Sequence, residues 1–248
     1  MKTKEGKILN IYSKTDIGRR RTANQDAFYV GEFDNGAAFA VVCDGMGGAK
    51  SGNVASEKAA SVISEYIVKS YSPRMNSTAI ENLLRAAIDS ANTEVYELSH
   101  TDEEFEGMGT TAVVVFVIDN LAHIVHVGDS RAYFISSTIE QLTNDHSMVQ
   151  AMVRNGEISA EEAKTHPRKN IITRAIGADT KVLCDYNIVL KTENTAILIC
   201  TDGLSNLVDE QTIFETVKNT PKEEAATKLV DLANEAGGTD NITAVLIY

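Results

Sequence analysis

Five aspartates sit where apolar runs begin or end. Asp44 closes the run 37–43, Asp129 follows 123–127 after one glycine, and Asp202 follows 196–200 after one threonine. Asp26 opens 27–30, and Asp240 opens 241–248. Strands end at the rim of a sheet, so five such ends can bring five carboxylates to one mouth. Carboxylates gathered away from water repel each other and either take up protons or bind cations. An all-oxygen donor set suits hard divalent ions, Mg2+ or Mn2+. Any one of the five could be a turn residue, and Asp-Gly, which recurs at 44–45 and 202–203, is common in turns. All five at strand ends favour the metal.

Three consecutive arginines, Arg19, Arg20 and Arg21, lie five to seven residues before Asp26. Guanidinium groups bind phosphate bidentately, so beside a metal-binding strand they are candidate phosphate anchors. Two lookalikes fail. The stretch 44–51 has Asp44 and Ala49 where a P-loop needs glycines, and Gly107-Met-Gly-Thr-Thr-Ala112 precedes a strand instead of joining a strand to a helix. His123 and His126, three apart in a strand, point to opposite faces and do not share a metal. His146 and His166 flank a polar stretch and read as surface histidines, with a loop role open.

The elements that must position these groups follow from the apolar pattern. Residues 27–33 and 37–43 read as strands joined by Asp34-Asn35-Gly36, a hairpin signal. Residues 53–71 and 78–98 have apolar side chains at helical spacing. Strands are expected at 110–118 and 121–127, with 132–136 as a third strand of that meander. Short helices are expected at 147–155 and 159–164. Strands 184–190 and 195–200 are expected to pair across 192–194. Helices over 209–218 and 221–236 precede a last strand, 241–248, with Pro221 and Gly237-Gly238 as start and stop signals. Short hairpins dominate and regular βαβ alternation is missing, which argues against a doubly wound sheet. The expected class is α+β, with two antiparallel sheets face to face and helices outside.

The 248 residues carry 23 Lys plus Arg against 35 Asp plus Glu, a formal charge of −12, so broad electrostatic binding to nucleic acid is not expected. A 43% hydrophobic and 23% charged composition is that of a folded protein. Only three prolines occur and no flexible linker divides the chain, so residues 1–248 read as one domain. Cys43, Cys184 and Cys200 lie in apolar runs and read as buried thiols of a reducing compartment. The longest apolar run, 112–118, is too short to span a bilayer, and no signal-like segment opens the chain. The expectation is a cytoplasmic protein without membrane insertion.

Seven motifs then appear in order: Gly18-Arg-Arg-Arg21-Thr-Ala-Asn24-Gln25-Asp26, Val42-Cys-Asp44-Gly-Met-Gly-Gly48, Gly109-Thr-Thr-Ala-Val113, Val127-Gly-Asp129-Ser-Arg131, Leu142-Thr-Asn-Asp-His146-Ser, Cys200-Thr-Asp202-Gly-Leu204 and Gly238-Thr-Asp240-Asn241-Ile-Thr243. With them the sequence resembles the metal-dependent PPM (PP2C-type) protein serine/threonine phosphatases in their compact bacterial form. The resemblance implies a four-layer sandwich, helices outside two central antiparallel sheets. It implies hydrolysis of phosphoserine and phosphothreonine in proteins by a water shared between two ions, Mn2+ or Mg2+, with a third ion in many bacterial members. By motif register Arg21 binds the phosphate, Asp44 bridges two metals and Gly45 offers its carbonyl. Asp202 and Asp240 complete the second metal, Asp26 holds a metal-bound water, and Asp129 serves the third ion with Asp202. Residues 147–169 correspond to the family's flap. Phosphorylated proteins, a cognate Ser/Thr kinase and a monomeric state are implied. Gln25 stands where Glu is common, and Met46 where animal members carry a proposed acid histidine, so the leaving-group proton must come from elsewhere. The alternative is a phosphoprotein-binding module on the same fold, without turnover.

Overall fold

The computed structural model describes residues 9–47 and 51–248. The chain runs through β1 (Ile11–Asp16), β2 (Asp26–Glu32) and β3 (Ala38–Met46) into helices α1 (Ser51–Ser70) and α2 (Ser77–Ser99). Strands β4 (Gly109–Thr110), β5 (Ala112–Ile118), β6 (Leu121–Val127), β7 (Arg131–Ile135) and β8 (Ile139–Gln141) follow, then short helices α3 (Met148–Arg154) and α4 (Ala160–Thr165). Strands β9 (Asp185–Leu190) and β10 (Ala196–Cys200), helices α5 (Asp202–Ser205), α6 (Glu210–Asn219) and α7 (Lys222–Glu235), and strand β11 (Ile242–Ile247) complete it.

One sheet has the order β1-β11-β10-β7-β8, the other β2-β3-β5-β6-β9 with β4 beside β3. Side-chain alternation sorts the strands into three cores. Phe39, Val41 and Cys43 of β3 pack under α1 and α2, whereas Ala40 and Val42 face the other sheet. Leu198 and Cys200 of β10, with Ala244 and Leu246 of β11, pack under α6 and α7. Ile197, Ile199, Val245 and Ile247 fill the layer between the sheets. The expected four layers are therefore present. Asn76 caps α2 through its side chain, and Asp209 caps α6 in the same way.

Two expected pairings are wrong. Residues 132–136 do not extend the β5–β6 meander: β7 pairs β10 and β8 in the opposite sheet. Strands β9 and β10 do not form a hairpin either. The first pairs with β6 and the second with β7 and β11. All five residues of β10 are buried, which demands a central place with both faces covered, while half-exposed β9 suits an edge. The Thr192–Thr195 turn thus crosses between sheets. Strand β1, paired in register with β11, has no strong apolar signal in the sequence.

Candidate active site

The inter-sheet layer ends in carboxylates. Asp44 continues the inward series Ala40, Val42, and Asp26 lies directly opposite it on the β2–β3 ladder. Like charges facing each other across an antiparallel pair are destabilising, so this register needs a compensating partner. Thr201 continues the inward series of β10, and Thr243 that of β11. Their hydroxyls both donate to Asp26 Oδ2, at 2.9 and 2.7 Å. Asp26 Oδ1 is buried with no hydrogen-bond partner. Asp202 opens α5 and accepts from Asn206 Nδ2 at 3.0 Å. Asp240 precedes β11; its Oδ1 accepts from the Asn241 amide at 2.8 Å, and its Oδ2 from Arg21 Nη2 at 2.7 Å. Gly45 must be glycine, because a Cβ there would run into the Gly52 carbonyl oxygen.

The electrostatics show these groups within reach of one another. Burial pushes the Asp26 carboxyl up to about 7, helped by the charges of Asp202 and Asp240 and opposed by the two threonine hydroxyls. Asp44 stands well above the usual carboxylate range through burial and then the charges of Asp26, Asp202, Asp129 and Asp240. Burial, then Asp202 and Asp145, raise Asp129 to about 7. Asp202 rises to about 6 through burial and Asp240, held back by a hydrogen bond with Asp44 and by Arg21 and Arg131. The structure thus gathers all five sequence-read aspartates, with Arg21 of the arginine triplet at their edge.

These residues fit divalent cations. The donors are all hard oxygens, four of them share a field that favours added positive charge, and one buried carboxylate oxygen lacks any partner. A groove of about 610 Å³ leads away from Asp129 and Asp202 between α3–α4 and the start of α6, with Lys164 and Lys169 on one wall and Asp209 and Glu210 on the other.

Several supporting residues were not read from the sequence. Besides Thr201 and Thr243, they include Thr111, whose hydroxyl accepts from the Asp44 amide at 3.0 Å and meets Ser130 Oγ at 2.8 Å. Arg131 grips Asp145 with three contacts of 2.7–3.1 Å. All of these types lie in the quoted motifs, but nothing local names their partners. His146 is not a surface residue: it is 6% exposed, and its ring stacks on His126 with centroids 4.7 Å apart. His123 and His126 do face opposite ways, toward Tyr186 and the Asn144 carbonyl. Cys43 and Cys200 are buried as expected, whereas Cys184 is half-buried and takes a bond from Arg85.

Comparison with known proteins bears on this site. The sequence pattern of the family described as Protein phosphatase 2C matches residues 17–234. The serine/threonine phosphatase stp of Listeria monocytogenes is 39% identical over 236 residues, covering 94% of this chain and 93% of that one. The S. agalactiae serine/threonine phosphatase superposes with a TM-score of 0.90 at 34% identity, over 97% of this chain and 99% of that one. The catalytic domain of the serine/threonine protein phosphatase PstP, solved in complex with two manganese ions, gives 0.85 at 30% identity, over 97% of each chain.

Proposed function

The chain belongs to the protein phosphatase 2C family and is a protein serine/threonine phosphatase, and from that premise we propose that Asp26, Asp44, Gly45, Asp129, Asp202 and Asp240 form its metal-dependent reaction centre, with Arg21 as phosphate anchor. The observation that carries this reading is the facing pair Asp26 and Asp44 at the end of the inter-sheet layer, with three more carboxylates around it. Mg2+ or Mn2+, two or three ions per chain, would be held there and supply Lewis acidity to the phosphoryl oxygens and a nucleophile from water at neutral pH. The form of PstP solved with two manganese ions supports a pair of them.

The chain's own residues do the rest. Thr201 and Thr243 fix the Asp26 carboxylate, and Asn206 fixes that of Asp202. Arg21, 47% exposed and held on Asp240, can swing its guanidinium onto a phosphoryl oxygen and stabilise the charge that redistributes there. Met46 has no proton to give a leaving alkoxide. The groove beside Asp129 and Asp202 accommodates the polypeptide that bears the phosphoryl group, with the flap 147–169 as one wall.

The described residues act as one catalytic domain, because both sheets contribute to the same mouth. The reading includes a monomer that acts on the products of a Ser/Thr protein kinase, and the three unpaired cysteines fit a reducing compartment such as the cytoplasm. Among the described residues no helix is long and apolar enough to cross a membrane. The test is phosphate release from a phosphothreonine peptide and from para-nitrophenyl phosphate. Turnover is expected with Mn2+ and none after EDTA. Peptide binding without turnover in Mn2+ would favour the phosphoprotein-binding alternative.

A further inference from the structure

Between β6 and β7 the chain has only Gly128, Asp129 and Ser130 with which to carry Asp129 across the mouth. Gly128 makes the turn at φ +102, and a Cβ there would lie 2.7 Å from Thr111 Cβ. Thr111, tied to Ser130, is therefore one wall of the turn.

His146 is the other. The Gly128 amide donates to His146 Nδ1 at 3.1 Å, and the His146 amide donates to the Gly128 carbonyl at 2.9 Å. An amide can only donate, so when Nδ1 takes the Gly128 bond the neutral ring carries its proton on Nε2, on the Asp185 side, and cannot also accept from Arg174 Nη1, a second donor-only group. That Nε2 stands 3.3 Å from Asp185 Oδ2, while Asp185 Oδ1 accepts from Arg174 Nη1 at 2.8 Å. His126, His146 and Asp185 are close enough to share an ion. Yet His126 Nε2 is bonded to the Asn144 carbonyl, and the Arg174 guanidinium, 3.1 Å from His146 Nε2, already supplies the cation. The cluster is a strut of protein groups.

The strut also reaches the flap. The His146 carbonyl accepts from the Thr173 amide at 2.7 Å, and the Met148 amide donates to the Ile171 carbonyl at 2.8 Å. Ser147 and Ile172 form a bridge. Both strands of chain at the flap's base thus meet beside His146, and Arg174 comes from the second of them.

We propose that His146 is a positioning residue for the phosphatase reaction: its Nδ1 sets the Gly128–Asp129 turn and its Nε2 end ties that turn to the base of the flap. The proposal rests on the reading of Asp129 as part of the reaction centre. Two substitutions separate the two ends of the ring. The Asn side-chain oxygen stands where Nδ1 stands, and the Gln amide reaches where Nε2 stands. His146→Asn therefore keeps an acceptor for Gly128, and His146→Gln keeps the Asp185 end only.

The experiment uses the full chain loaded with Mn2+ and a phosphothreonine peptide, alongside hydrogen exchange of the Gly128 amide by NMR. His146→Gln is expected to lower kcat about tenfold, in the range seen when groups that orient a metal site are lost, with little change in KM and with faster Gly128 exchange. His146→Asn is expected to stay within about threefold of wild-type kcat and to keep the amide protected. Equal loss in both variants, or loss of Gly128 protection in His146→Asn, overturns the proposal. If His146→Gln does not fold, the His146→Asn exchange result decides alone. Wild-type kcat in Asp129→Ala would overturn the Asp129 reading and the catalytic half of the proposal with it, leaving the exchange pattern to judge the positional half.

Discussion

Replacing Asp26 by Asn should stabilise the metal-free protein at pH 8. The Asp26 carboxyl titrates at about 7 in the fold against an ordinary value of 3.8, chiefly because it is buried. A raised carboxyl favours folding most below its ordinary pKa, and that advantage is lost as pH climbs toward 7. At about 1.4 kcal/mol per pKa unit, ionising Asp26 inside the fold costs about 4 kcal/mol above pH 7. Asn keeps an oxygen for Thr201 and Thr243 and places an N–H₂ where Oδ1 had no partner. Part of the gain is shared with Asp202 and Asp240, whose repulsion also falls, so about 2–4 kcal/mol should survive. For a chain of this size that is a rise of about 5–10 °C in Tm. The assay is thermal melting in EDTA at pH 4.5 and pH 8, then in Mn2+. The gain should be large at pH 8 and small at pH 4.5. In Mn2+ the order should reverse, since a ligand that binds only the native state stabilises wild type more. A Tm difference that ignores pH, or an Asp26→Asn protein less stable than wild type at pH 8 in EDTA, would refute the reasoning.

Arg21→Ala should raise KM for phosphopeptides several-fold with a smaller change in kcat, while Arg19→Ala and Arg20→Ala do less; equal effects at all three would show that the wrong arginine has been assigned. The same Arg21→Ala change frees Asp240 Oδ2 from a 2.7 Å ion pair, so calorimetry should show Mn2+ binding at least as tightly as in wild type. Asp240→Asn should abolish turnover with the fold intact, and near wild-type activity at saturating Mn2+ would remove Asp240 from the ligand set. Thr243→Val removes one of two donors to the buried Asp26 carboxylate and should destabilise by about 1–3 kcal/mol in urea at pH 8, less at pH 4.5 where the carboxyl is protonated.

Local signals in the chain account for most of the elements. The Asp34-Asn35-Gly36 turn, the helical spacing in α1 and α2, and the Pro221 and Gly237 boundaries all act over a few residues, and each is found in the structure. What failed was the assignment of strands to sheets. A hairpin-length gap such as 191–195 looks the same whether the chain turns back in its own sheet or crosses to the next. Only burial decides, and burial on both faces of β10 is a tertiary fact.

The same distinction separates the parts of the site. Along a strand successive side chains alternate in face, so Asp44, two residues past Val42 and four past Ala40, points between the sheets, and antiparallel pairing sets Asp26 against it. That placement breaks a rule of strand pairing, since like charges oppose each other in a buried register. Broken local rules gather at functional sites, where something outside the chain repairs them. The threonines and His146 break no rule. They satisfy hydrogen-bonding needs created by residues up to 217 positions away, as Thr243 does for Asp26. A residue whose local context is in conflict can be picked out before the fold is known. A residue that resolves a distant conflict becomes visible only once the strands carrying both are in place, which is why the five carboxylates were legible and the histidine behind Asp129 read as surface.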